Sequence, residues 1–179
     1  VIQTFTDQAF FPAEAKPEHV HTRDIAHALS NTCRFGGHCR RFYSVAEHSY
    51  WVSWQVPVEH ALAALLHDAT EAYLLDMPTP IKAILPDYQK LEAQLWSVIA
   101  RRYGLPEQMH PSIKEADRRM LLAEARQLFH GRVLWEGLFP GVVPADIPEL
   151  PCWSPRQAEK MFLDRYTQLL LRVEDAEIW

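Results

Sequence analysis

An all-α fold is the expectation, because apolar residues recur at helical spacing, helix-start signals stand at Ser44, Ser112 and Ser154, and no stretch alternates like a strand. The 179 residues suit one domain, 1–179, with a core of ordinary size. Apolar residues make up 48% and charged residues 23%, the balance of a folded soluble protein. A net charge of −5 argues against a nucleic-acid polymer or an anionic membrane as partner, but not against a small anion met by local cations. No apolar run is long enough to span a bilayer, and the start lacks the order of a signal peptide, so a cytoplasmic protein is expected. Three cysteines, Cys33, Cys39 and Cys152, read as reduced thiols rather than a zinc knuckle.

Residues 1–20 contain Phe5, Phe10, Phe11, Pro12 and Pro17 and read as an irregular arm that packs its aromatics. Thr22 is placed as an N-cap, with Ile25, Ala26 and Leu29 as the stripe of the first helix. The paired glycines of Arg34-Phe35-Gly36-Gly37-His38 predict a turn. Ser44 and Glu47 form a capping box for a helix to about Gln55. From Val58 to about Tyr73 the chain is apolar nearly all round, which predicts a buried central helix. Thr79 as N-cap and Pro80 at N1 start a short helix, and Asp87 to Tyr103 gives a longer one that stops at Gly104. Ser112 with Glu115 opens a helix to about Phe129, 131–153 reads as an extended Pro/Gly-rich loop, and Ser154, Pro155 and Gln157 open the last helix, 154–173.

The central helix carries His67, Asp68 and Glu71 on one sector. For a lone histidine, a core hydrogen bond is the simpler reading. Three polar groups interrupting an Ala/Leu run need partners, and a divalent cation supplies them, since it takes neutral imidazole and anionic oxygen. His48, on the preceding helix, is a further donor. Asp117 alone would pass as an acid favoured by a helix N-terminus, and Glu47 as the partner of Ser44. His27 reads as a hydrogen-bonded core histidine, Lys82 as a solvated lysine, His38 as a loop histidine about as readily as a phosphate contact, and the six tryptophans mostly as core and arm packing.

The order His48, His67-Asp68, Asp117 resembles the signature of the HD-domain metal-dependent phosphohydrolases. Ser44-Val45-Ala46-Glu47-His48-Ser49, His67-Asp68-Ala69-Thr70-Glu71 and Asp76-Met77-Pro78-Thr79-Pro80-Ile81-Lys82 are similar to segments of the bacterial 5′-deoxynucleotidase branch. Asp24-Ile25-Ala26-His27-Ala28-Leu29-Ser30 and Arg34-Phe35-Gly36-Gly37-His38 resemble related bacterial and phage HD hydrolases, phage dATP triphosphohydrolases among them. The resemblance spans roughly residues 20–130.

It implies an HD-type helical bundle and a divalent metal (Co, Mn, Mg or Zn) held by His48, His67, Asp68 and Asp117. Arg34 and Phe35 match an Arg-Trp substrate pair, with Phe departing from Trp, and Asp76, Met77, Pro78 and Thr79 match a nucleotide-contacting stretch. Leu75 stands where that branch tends to have Gly. Four N/O ligands leave positions open for water and a phosphate oxygen; His67 and Asp117 therefore border the substrate as well. Arg34 offers a fixed fork for phosphate, and Glu71 is the candidate general acid or base. The expected activity is 5′-deoxynucleotidase, releasing phosphate from deoxynucleoside monophosphates, with homo-oligomerisation implied by the family. Triphosphohydrolase action on a deoxynucleoside triphosphate stays open, as does a non-catalytic metal-binding sensor module.

Overall fold

The run Ala61–Leu65 (α3) fixes where the core lies, since its small side chains allow packing on every side. Ala61 and Leu65 enter one buried cluster with Ile25, Leu29, Ala46, Ile99 and Phe162. Ala63 and Ala64 enter another with Val52, Ile113, Ala116 and Met120. The computed structural model describes residues 1–131 and 133–177 and is mostly helical. Thr22–Asn31 (α1), Val45–Val52 (α2), Glu71–Leu74 (α4), Thr79–Lys82 (α5), Pro86–Tyr103 (α6), Pro111–Leu128 (α7), Val133–Leu138 (α8) and Pro155–Glu177 (α9) surround or extend α3. Helix α9 packs along α1, α2 and α3, and α7 packs on α2, so α2 and α3 are enclosed. Among the described residues, no helix is long and apolar enough to cross a membrane.

Several local expectations give way to other physics. The arm is not irregular throughout: Ile2–Gln3 (β1) pairs antiparallel with Ala9–Phe10 (β2), and 3-10 turns follow at Pro12–Glu14 and Pro17–His19. Two of its aromatics pack, Phe10 on Tyr73 with ring centroids 4.0 Å apart and Phe5 on His27 at 3.7 Å, while Phe11 is exposed. The central helix is interrupted. After Leu66 the chain tightens into turns, with Ala69 N–H bonded to Leu66 O and Glu71 N–H to Asp68 O. This i to i−3 spacing still brings Asp68 and Glu71 to one side.

Thr22 lies inside α1, whose N-cap is His21, and Thr79 lies inside α5, whose N-cap is Pro78. Helix α7 is capped two residues earlier than Ser112, because Pro111 takes N1 and the His110 ring accepts from Ser112 N–H. Ser154 and Gln157 do form a reciprocal box. Helix α9 runs past 173 to Glu177, and α8 interrupts the stretch expected as loop. Gly104, at φ 64°, ends α6 as predicted.

The Ser44 box is half formed. Ser44 Oγ accepts from Glu47 N–H at 3.1 Å, but the Glu47 carboxylate turns away to accept from Cys152 N–H at 3.1 Å and Trp153 N–H at 2.7 Å. Glu47 therefore ties the chain entering α9 to the start of α2. Its burial is complete, and that desolvation outweighs the two N–H donors, pushing the carboxyl up from 4.5 to about 7. Between those values the folded state holds more protons than the unfolded one, so this group's share of stability falls as pH rises through that window. Glu47→Gln should flatten the loss of melting temperature of the metal-free protein between pH 5 and pH 8; an unchanged slope would contradict the assignment.

Candidate metal centre

Helix α2 aims His48 at the turn that follows α3, and α7 brings Asp117 to the same point. His48 Nε2 lies 3.2 Å from Asp117 Oδ1 and 3.6 Å from Asp68 Oδ2, and His67 Nε2 lies 3.2 Å from that same Asp68 oxygen. Each of His48, His67 and Asp117 offers a ligand atom within 4.8 Å of the other two. Asp68 borders both histidines without joining that mutual group. His67 Nδ1 is bonded to Ala64 O at 2.8 Å, which sets its proton on Nδ1 and leaves Nε2 bare. The Nε2 atoms of both histidines are buried without a hydrogen-bond partner.

Two buried, unpartnered imidazole nitrogens facing carboxylates make a donor set that fits a divalent cation. Without one, a proton competes for that place at His48. Burial and the Arg34 charge oppose protonation of His48, but the Glu124 charge, the Asp117 carboxylate 3.2 Å away and the hydrogen bond to Glu124 prevail and raise its pKa to about 9. Burial works against the Asp117 carboxylate, yet the His48 ring beside it and the charge that ring carries hold it well below the usual range.

The remaining predicted residues fall at different distances from this point. Arg34 is nearly buried, with Nη1 3.6 Å from Asp68 and Nη2 3.4 Å from Glu124. Glu71 is buried, its Oε2 lacks a partner, and burial together with the Asp68 charge raises its pKa well above the carboxylate norm. Asp76 is half-buried; burial raises its pKa, while Arg34 and His48 are near enough to oppose the shift. Met77 is half-buried and Pro78 and Thr79 are exposed, so these three form a rim. Leu75, at the expected Gly position, has φ 68° and ψ 157°, a conformation that glycine adopts far more readily.

Phe35 packs edge-on against Phe129 at 5.1 Å and Trp135 at 5.8 Å, so its ring already has partners within the chain. Lys82 is not simply solvated, since it pairs with Glu92 at 2.7 Å. His38 is exposed. His27 bonds Glu159 at 3.0 Å with its side chain 36% exposed, so it is a hydrogen-bonded histidine outside the core. Cys33 and Cys39 are free thiols with sulfurs 3.7 Å apart.

Glu124 was missed. It is fully buried, sits 2.6 Å from His48 Nδ1, and accepts from Tyr43 O–H at 2.9 Å. The available signal was its spacing of two helical turns from Asp117, inside an apolar stripe of α7.

At neutral pH a cation at His48 Nε2 has to displace a proton. Mn²⁺ affinity should therefore climb with pH by up to about tenfold per unit towards pH 9, with proton release visible by calorimetry in buffers of different ionisation enthalpy. Constant affinity from pH 6 to 8 would contradict this arrangement.

No family model matches the chain. It is 39% identical over 168 residues, 94% of each chain, to the uncharacterized protein YfdR of Escherichia coli. It is also 38% identical over 110 residues, 56% of each chain, to an uncharacterized protein of Rhodobacter capsulatus.

Proposed function

The chain belongs to the family of the Escherichia coli protein YfdR, and from its buried donor cluster we propose that it is a divalent-metal-dependent phosphohydrolase of the HD type, acting as a 5′-deoxynucleotidase. The observation that carries this reading is the pair of buried, unpartnered Nε2 atoms of His48 and His67 beside Asp68 and Asp117. These four residues would hold the cation, which when bound lowers the pKa of water and offsets charge gathering on the phosphoryl group.

The chain's own groups supply the rest. Arg34, with Nε unpartnered, presents a permanently charged fork beside Asp68 for the phosphate oxygens. Glu71, kept protonated by burial and by Asp68, is a carboxylic acid able to give its proton to the leaving 5′-oxygen. Water attacks phosphorus as the P–O5′ bond breaks, and the proton shed by that water restores the acid. In this reading the half-buried Asp76 accepts from a sugar hydroxyl, and Met77 and Pro78 at the rim offer apolar surface.

The distribution of cations favours one phosphate over three. Arg34 stands at the cluster, whereas Lys82 is tied to Glu92, Arg40 bonds Gln127 O and Arg41 bonds Leu150 O. A screen of deoxy- and ribonucleoside mono- and triphosphates with Mn²⁺, Co²⁺, Mg²⁺ and Zn²⁺ should show inorganic phosphate released from deoxynucleoside monophosphates. Asp68→Ala should abolish both metal uptake and turnover. Glu71→Gln should keep the metal while losing about 10²–10⁴-fold in turnover. Phosphate release surviving Asp68→Ala, or inorganic triphosphate as the product, would overturn the respective parts of the proposal.

A further inference from the structure

We infer that Glu124 is a positioning residue for the metal centre, presenting His48 Nε2 to the cation through a buried chain Tyr43–Glu124–His48; the role rests on the metal reading above. A ligating imidazole has to carry its proton on the other nitrogen, and whatever accepts that proton fixes the tautomer and ring angle. For His67 the acceptor is a backbone carbonyl, Ala64 O at 2.8 Å. For His48 it is Glu124 Oε1 at 2.6 Å, a carboxylate that is itself held by Tyr43 O–H at 2.9 Å.

Packing alone does not call for this residue. Glu124 stands in an apolar face of α7, between Met120 and Leu128, and is 0% exposed. A leucine would fill that face without the desolvation of a carboxylate. The buried charge is instead surrounded by groups of the centre: His48 at Oε1, and Arg34 Nη2 3.4 Å from Oε2. Arg34 in turn reaches Asp68 with Nη1 at 3.6 Å. One outer carboxylate is thus connected to two of the four proposed ligands, directly to His48 and through Arg34 to Asp68. A carboxylate acceptor also makes His48 a stronger donor than a neutral acceptor does.

The test uses the whole chain and Mn²⁺ alone, with no substrate. Glu124→Gln keeps the shape and removes the charge; Glu124→Asp keeps the charge and withdraws it from His48. Both should bind Mn²⁺ about 10–100-fold more weakly than the wild type by calorimetry, measured at a temperature where circular dichroism shows each variant folded. In the Zn²⁺-loaded protein, the His48 Nδ1 proton should resonate far downfield in the wild type and move upfield in Glu124→Gln. Wild-type affinity in both variants, or an unmoved proton resonance, would overturn the role while leaving the metal centre standing. Failure of the wild type to take up Mn²⁺ would overturn the metal centre and this role together.

Discussion

The imidazole of His48 is the fixed point of this molecule. It is completely buried, with a carboxylate at each ring nitrogen: Glu124 at Nδ1 and Asp117 at Nε2. Removing such a ring and its acids from water is costly unless their mutual geometry repays it. Both acids come from α7 and the ring from α2, so the packing of these two helices is also the assembly of the centre. The pKa shifts follow from the same fact. His48 moves up and Asp117 and Glu124 move down against the burial that opposes all three, Asp117 through His48 and Glu124 through the Arg34 charge and then His48.

The rest of the fold serves to hold that contact. Ala63 and Ala64 let α3 lie against Ile113, Ala116 and Met120, and the tightening after Leu66 then delivers His67 and Asp68 to the site. Glu47, immediately before His48, faces the other way and fastens the segment leading into α9. Two adjacent buried residues on α2 therefore divide the work, one anchoring the fold and the other offering a nitrogen. Glu71, with an unpartnered buried oxygen, lies near enough to Asp68 for that charge to add to burial in raising its pKa.

Much of this was legible in the order of residues. The all-round apolar character of Ala61–Leu65 announced burial, and polar residues set into that stretch announced a site. Asp117 was recognisable only through the resemblance, because an acid near a helix start has an ordinary explanation. The break after Leu66 was hidden, since its 3-10 spacing leaves the apolar pattern almost unaltered. Helix starts at Thr22, Thr79 and Ser112 were misplaced because a hydroxyl one or two residues inside a helix looks the same in sequence as one at its cap. Glu124 escaped for a different reason: its partners His48 and Tyr43 are 76 and 81 residues away, a relation that no local pattern carries.

The central claim is that the point between His48, His67, Asp68 and Asp117 is a divalent-cation site. Diffraction from crystals grown with Mn²⁺, recorded with anomalous scattering at the manganese edge, tests it most directly. The account predicts an anomalous peak bonded to both Nε2 atoms and to oxygens of both aspartates, with His48 Nδ1 still on Glu124. A peak elsewhere, with His48 Nε2 still facing Asp117 and no ion between them, would contradict it.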